Sequence, residues 1–166
     1  MLIETERLYL IPLTARQLSL LVTDIPALEQ DLNCIYQGDA MEGFFLDIVK
    51  GQLDVTTTDS EHYLFHTFWQ LMLKKERVII GAADFKDVPN ENGEVEIGYG
   101  IASSFQKQGY TTEAMCAMCQ WALEQSGVRN VIAETDKENI ASHRVLQKCG
   151  MQRYRETDDG YWWKLL

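Results

Sequence analysis

Apolar residues recur along the chain with two periods, alternating and helical, and the switches between them mark out a series of short elements. Residues 7–13 read as a first strand with Leu8, Leu10 and Pro12 on one face and Tyr9, Ile11 and Leu13 on the other. Pro12 confines that strand to an end or an edge, because it cannot donate to a ladder. Thr14 is placed to cap a helix over 15–22, whose apolar stripe is Leu18, Leu21 and Val22. Pro26 suits the first turn of a second helix ending at Leu32. Phe44, Phe45, Ile48 and Val49 recur at helical spacing over 41–49, and 55–59 reads as a loop. The plain reading of those aromatics is core; the alternative is the wall of a pocket. Residues 63–73 carry aromatic and aliphatic side chains suited to a strand. The charged turn Lys74-Lys75-Glu76-Arg77 joins it to a second strand at 78–85, making a hairpin.

The next strand carries more information. In Glu94–Ile101, Val95, Ile97, Tyr99 and Ile101 point one way, and Glu94, Glu96, Gly98 and Gly100 the other. The first face suits packing. The second holds a slot bordered by Glu96, since two positions there lack side chains, and glycine inside a strand marks a bulge or the close approach of a ligand. A helix over 112–126 follows, apolar almost all round, with Glu113, Gln120 and Glu124 as its polar stripe, so it packs deeply on a sheet. Gly127 ends it, and 130–135 is a strand. Strand, helix and strand of these lengths require a parallel pair with a right-handed crossover. Asn139 caps a last helix to Cys149, and 152–155 with 161–165 form a closing hairpin around Thr157-Asp158-Asp159-Gly160. The fold class is mixed α/β. No linker composition or repeat divides the 166 residues, so one domain over 1–166 is expected.

Between that informative strand and the apolar helix lies Gln106-Lys107-Gln108-Gly109-Tyr110-Thr111. A loop ending at a helix start offers main-chain N–H groups without intrahelical partners, in the positive field of the helix dipole. Gly109 has no Cβ and permits positive φ, and Lys107 adds a formal charge, so the stretch is suited to an anion such as phosphate. A tight strand-to-helix turn explains the same residues without a ligand.

Gln106-x-x-Gly109-x-Thr111, after Glu96-Ile97-Gly98-Tyr99 and before Glu113-Ala114, resembles the acetyl-CoA pyrophosphate loop of the GNAT superfamily of N-acetyltransferases, usually written (Gln/Arg)-x-x-Gly-x-(Gly/Ala). Thr111 departs from the last position. Asn139-Ile140-Ala141-Ser142 leading to Lys148-Cys149-Gly150-Met151 is similar to the Asn-x-x-Ser…Lys-x-Gly-Phe stretch of the branch that includes the ribosomal-protein N-terminal (RimJ/RimL-like) acetyltransferases. Thr5-Glu6-Arg7-Leu8 matches that branch's first strand. The resemblance covers most of the chain and is weakest over 24–62. It implies a central, mostly antiparallel sheet with one parallel strand pair splayed to admit acetyl-CoA, flanked by helices. It implies transfer of an acetyl group from acetyl-CoA to a primary amine, a protein N-terminus or a small molecule, by direct attack in a ternary complex. Pantetheine would run along 96–101, with the thioester carbonyl facing a main-chain N–H near Tyr99 to Ile101 and the lower arm against Ala102 and Ser103. The pyrophosphate would rest on the amides of Gln106, Lys107, Gln108, Gly109, Tyr110, Thr111 and Thr112. Gly98 and Gly100 would leave room at the reacting centre, and 24–59 would shape the acceptor site.

An amine must be uncharged to attack a thioester, so such a site needs a base, and an acid for the leaving thiolate. Glu96 is the candidate base, directly or through water, with Asp84 and Glu134 on the flanking strands as rivals; its other reading is a cross-strand carboxylate. The tyrosine acid of many family members falls at Leu146 and is absent. Ser142 is its substitute near the sulfur, and Asn139 would reach the pantetheine arm or a bridging water. Helix capping alone also accounts for Asn139 and Ser142. The missing tyrosine and Thr111 leave room for a different class, an acyl-CoA-binding sensor or interaction module with little catalysis. No dinucleotide or Walker glycine loop occurs.

Charge and composition narrow the partners. A net charge of −10 argues against nucleic acid and is compatible with a cationic amine. No run approaches the length of a membrane span, and residues 1–10 do not resemble a signal peptide. With Cys34, Cys116, Cys119 and Cys149 as free thiols, a cytoplasmic location is expected. Cys116-x-x-Cys119 has neither a second pair nor a nearby histidine, so no metal is expected. His62, His66 and His143 are unremarkable. Trp162 and Trp163, if exposed, would offer a homodimer contact, and otherwise belong to the core.

Overall fold

The computed structural model describes residues 1–165. The elements run β1 (Ile3–Glu4), β2 (Leu8–Pro12), α1 (Ala15–Thr23), α2 (Ile25–Leu32), β3 (Ile35–Tyr36), α3 (Gly43–Thr58), α4 (Tyr63–His66) and β4 (Phe68–Leu73). They continue with β5 (Val78–Phe85), β6 (Glu94–Ile101), α5 (Tyr110–Leu123), β7 (Asn130–Asp136), α6 (Ile140–Lys148), β8 (Gln152–Glu156) and β9 (Gly160–Leu165). The strands form one mixed sheet in the order β1-β2-β4-β5-β6-β7-β9-β8, with β3 added to the free part of β5. All neighbours are antiparallel except β6–β7 and the two-residue pair β3–β5.

Local chemistry sets several boundaries. Thr14 caps α1 with a full capping box: its hydroxyl accepts from Gln17 N–H, and the Gln17 side chain accepts from Thr14 N–H. Pro26 lies in the first turn of α2, and Pro12 ends β2, as their missing N–H groups require. Residues 55–58, expected as a loop, instead prolong α3. The hydroxyls of Thr57 and Thr58 donate to the carbonyls of Leu53 and Asp54 one turn back, which satisfies these β-branched residues within the helix. The strand expected over 63–73 begins only at Phe68. Residues 63–66 form a helical turn, with Trp69 Nε1 donating to Leu64 O at 2.9 Å and His66 Nε2 standing 2.9 Å from Asp59 Oδ2. α5 begins at Tyr110 and ends at Leu123, earlier at both ends than its apolar pattern implied.

Two cores lie on opposite faces of the sheet. On one, α5 buries Met115, Met118 and Cys119 against Leu10, Leu71, Ile80, Val95 and Ile97. There Trp121 sits within 5.0–5.7 Å, centroid to centroid, of Phe65, Trp69 and Phe85. On the other, α1, α2 and α3 pack Leu18, Leu21, Leu28 and Val49 on Phe68. The two C-terminal tryptophans differ in burial. Trp163 is buried and donates to Thr135 Oγ1 at 2.9 Å, and Trp162 is half-buried beneath the Arg155 guanidinium. No helix among the described residues is long and apolar enough to cross a membrane.

The sheet is split where the site lies. β6 and β7 pair only at Glu94↔Asn130, Val95↔Val131 and Glu96↔Ile132. β6 then continues to Ile101 along β5, while β7 continues to Asp136 along β9. From Ile97 onward the β6 edge facing β7 is unpaired among the described residues, and the N-termini of α5 and α6 border the gap.

Candidate functional site

The loop that begins α5 is held in an unusual backbone state. Lys107 and Gly109 have φ of 63° and 83°, with a residue of ordinary φ between them. Such an alternation turns successive N–H groups toward one side. Gly109 is the N-cap of α5, and no side chain caps that helix. The N–H groups of Tyr110, Thr111 and Thr112 are therefore left without partners among the described residues. α6 differs: Asn139 Oδ1 accepts from Ser142 N at 3.2 Å, so Asn139 acts as its cap. Ala102 N donates to Ile80 O, and Ser103 begins a short 3₁₀ turn that leads the chain from β6 into the loop. Gln106 Nε2 and Gln108 Nε2 bond back to Ile101 O and Ser104 O, closing the loop on itself.

Arg7 braces this loop from outside. Its Nη1 donates to Gln108 O at 3.0 Å, and its guanidinium carbon lies 4.4 Å from the Tyr110 ring centroid. A Cβ on Gly109 would stand 3.3 Å from Arg7 Nη2. Arg7 is held in turn by Glu113, one turn into α5: Nε donates to Oε2 and the main-chain N to Oε1, both at 2.7 Å, while Thr5 Oγ1 donates to Oε1 at 2.6 Å. Burial alone would raise the Glu113 carboxyl, but the bonds from Thr5 and Arg7 outweigh it and hold it below the ordinary glutamate range. Sequence reasoning missed this role of Arg7. The signal was present as a cation two residues after Thr5 and a carboxylate just inside the helix, but only tertiary structure unites them.

Glu96 is the last residue of β6 paired with β7, at the fork itself. Its carboxyl is pushed up, chiefly by burial, with Glu134 and Asp84 adding and Lys86 opposing. Asp84 lies opposite Gly98 on β5, buried, and burial pushes its carboxyl up against the opposing pull of Lys86, whose Nζ is 3.6 Å from Asp84 Oδ2. Gly98 does not leave an empty slot: a Cβ there would meet Lys86 Nζ at 2.7 Å, so the ammonium fills that space. Gly100 does leave one, its nearest neighbour being Asp39 Oδ2 at 3.8 Å from a Cβ position. Over it lies a cavity of about 270 Å³, bounded by Tyr36, Phe45, Phe68, Asp84 and Lys86 as well as Gly100. Glu96 stands beside that cavity rather than in its wall. Phe45 therefore serves as both core and pocket wall.

Ser142 is approached from the other face. Tyr99, which alternates with Gly98 and Gly100, directs its hydroxyl across the gap to Ser142 O at 3.5 Å. Leu146, at the expected tyrosine position, is fully buried. His143 is half-buried, with Nε2 3.0 Å from Asp136 O and its ring against Trp163. Among the described residues no group of three or more His, Cys, Asp or Glu is arranged to hold a metal ion.

A forked sheet with an uncapped helix start at its mouth invites comparison with known proteins. The solved ribosomal-protein-S5-alanine acetyltransferase from Vibrio fischeri superposes with a TM-score of 0.73 at 16% identity, covering 100% of this chain and 96% of that one. RimL, the ribosomal L7/L12 alpha-N-protein acetyltransferase solved with coenzyme A, superposes at 0.71 with 14% identity, covering 100% and 98%. Both likenesses are of fold. In sequence, 82 residues are 33% identical to the uncharacterized N-acetyltransferase YjdG of Bacillus subtilis (strain 168), a match over 49% of each chain. The chain thus spans about half the length of the curated relatives it matches. The family model for the acetyltransferase (GNAT) domain matches residues 7–152, nearly the whole chain, and the protein belongs to the GNAT acetyltransferase family.

Proposed function

We propose that the protein transfers an acetyl group from acetyl-CoA to a primary amine. The observation that carries this reading is the conjunction of two features at one place: an uncapped, glycine-started helix end and the unpaired edge of β6 beside it. The first suits the diphosphate of coenzyme A, over the amides from Gln106 to Thr112. The second suits the amide-bearing pantetheine arm, which adds along Tyr99 to Ile101 as a further strand and then passes Ala102 and Ser103.

The reaction follows from the groups at the fork. The acceptor enters as an ammonium and gives one proton to Glu96, directly or through water; a carboxylate made more basic by burial is a better base than a free one. The amine nitrogen attacks the thioester carbonyl carbon, forming C–N, while a main-chain N–H of β6 stabilises the oxyanion. The C–S bond breaks, and coenzyme A leaves as the thiolate. It takes a proton from the Ser142 hydroxyl, which regains one from the nitrogen that has just been acylated, through water. The products are the acetamide and free coenzyme A thiol. Asn139, already fixed as the cap of α6, presents its amide nitrogen to the pantetheine arm or a water. The test pairs calorimetry with acetyl-CoA and a thiol-release assay over a panel of amines. Micromolar binding with amine-dependent release is expected; binding without release from any amine rejects the enzyme reading.

A further inference from the structure

The cavity over Gly100 bears on the identity of the acceptor, granted the acetyl-transfer reading on which that identity rests. Its volume of about 270 Å³ lies just below the range of roughly 300–1,000 Å³ for drug-sized ligands. One wall is apolar: Phe45 stands edge-on to Phe68 at 5.9 Å, with Ile48 beside them. Two carboxylates join this apolar lining, Asp84 being the cross-strand neighbour of Phe68. Asp84 is buried in the depth, already shared with Lys86. Asp39 is exposed at the mouth, and its carboxylate has no hydrogen-bond or ion-pair partner among the described residues.

The segment that carries Asp39 is folded inward. Tyr36 donates its hydroxyl to Asp39 O at 2.7 Å, and Gly38 permits this, since a Cβ there would lie 2.9 Å from the Tyr36 ring. This bond holds the Asp39 main chain against the Tyr36 ring at the edge of the cavity. It also commits the Tyr36 hydroxyl, so the Tyr36 ring acts as wall. What remains is an unpaired carboxylate poised over the one open glycine of β6, with an aromatic-lined recess behind it.

We infer that the acceptor is a compact primary amine with an aromatic or branched aliphatic body, its ammonium received by Asp39 over Gly100, its proton relayed through water to Glu96 four residues back along β6, and its body seated against Phe45, Ile48 and Phe68. Asp39 determines specificity by placing a negative charge at the mouth, where a cation is drawn from solvent and held beside aromatic faces. A protein N-terminus is disfavoured, because a recess of about 270 Å³ has room for the bulk of one side chain beside the amine and little more.

The test measures steady-state acetylation at saturating acetyl-CoA of 2-phenylethylamine, isopentylamine and a hexapeptide with a free amino terminus. The two amines are expected to exceed the hexapeptide in kcat/KM by about tenfold or more. Asp39→Asn should raise KM for both amines about tenfold with kcat little changed, since a ground-state attraction is removed, and Asp39→Glu should restore most of it. Affinity for acetyl-CoA should stay at the wild-type value in both variants. A hexapeptide that outpaces the amines, or an Asp39→Asn enzyme with unchanged KM, overturns the inference while leaving acetyl transfer intact. Failure of the wild-type protein to bind acetyl-CoA overturns both.

Discussion

Replacing Arg7 by Met would keep the aliphatic stem and remove the guanidinium that ties the loop before α5 to β2. Three contacts are lost. The Arg7–Glu113 ion pair is partly open to solvent, the two side chains being 42% and 17% exposed, so about 0.2–1 kcal/mol is reasonable for it. The charged hydrogen bond to Gln108 O contributes about 1 kcal/mol after solvent competition. The stack on Tyr110 adds about 0.5 kcal/mol at so exposed a site. The sum is about 2 kcal/mol. Gln108 and Tyr110 bracket Gly109, so most of that energy orders the main chain that would hold the diphosphate. At 1.4 kcal/mol per decade, coenzyme A should bind about 10–30-fold more weakly. Calorimetry with coenzyme A reads this directly. Turnover of S-acetyl-pantetheine, which lacks the diphosphate, is the control and should be unaffected. Unchanged affinity for coenzyme A, or equal losses with both donors, would refute the reasoning.

Other consequences can be measured as readily. Glu96→Gln should lower kcat by about 10²–10⁴ and abolish the acid limb of the rate profile, a limb that burial places above the ordinary glutamate value of 4.5; if Asp84→Asn abolishes it instead, the base is Asp84. Gly81→Ala would set a Cβ 2.4 Å from Gly100 O and 2.9 Å from Ile101 Cα, both main chain, so urea melts should show a loss on the order of 1–3 kcal/mol as β5 and β6 separate, and an unaltered midpoint contradicts that packing. Because the folded Glu113 carboxyl is depressed, its share of stability is complete above pH 4.5 and lost as pH falls through its folded value; Glu113→Gln should remove that part of the acid transition, as read by circular dichroism. Burial pushes the Cys119 thiol up to about 12, so native protein at pH 8 should label at that residue with Ellman's reagent only as fast as it unfolds.

Elements whose cause is local are legible in the chain. The alternation of Glu94–Ile101, the Thr14 capping box, the Asn139 cap and the apolar α5 all follow from neighbours within a few residues. Two segments depart from their pattern because tertiary contacts and side-chain bonding override it: Phe65 is set against Trp121 by a helical turn rather than by strand alternation, and hydroxyl back-bonding keeps Thr57 and Thr58 helical. β1 and β3 are two residues each and exist only through their partners. In the site, the glycine loop and Glu96 are visible because their spacing carries the signal. Arg7, Lys86 and Asp39 are not: each acts on a residue brought near by the fold, at Gly109, Gly98 and Gly100 respectively. The filling of the Gly98 slot by Lys86 in particular depends on the β5–β6 register, which composition does not reveal.

The most direct test is a crystal structure of the protein grown with coenzyme A. The diphosphate should lie within hydrogen-bonding distance of main-chain nitrogens between Gln106 and Thr112, with Gly109 still at positive φ and the pantetheine amides paired along β6 past Gly98. A diphosphate bound elsewhere, with the start of α5 bare and β6 unaccompanied, would contradict the assignment of this face to the coenzyme.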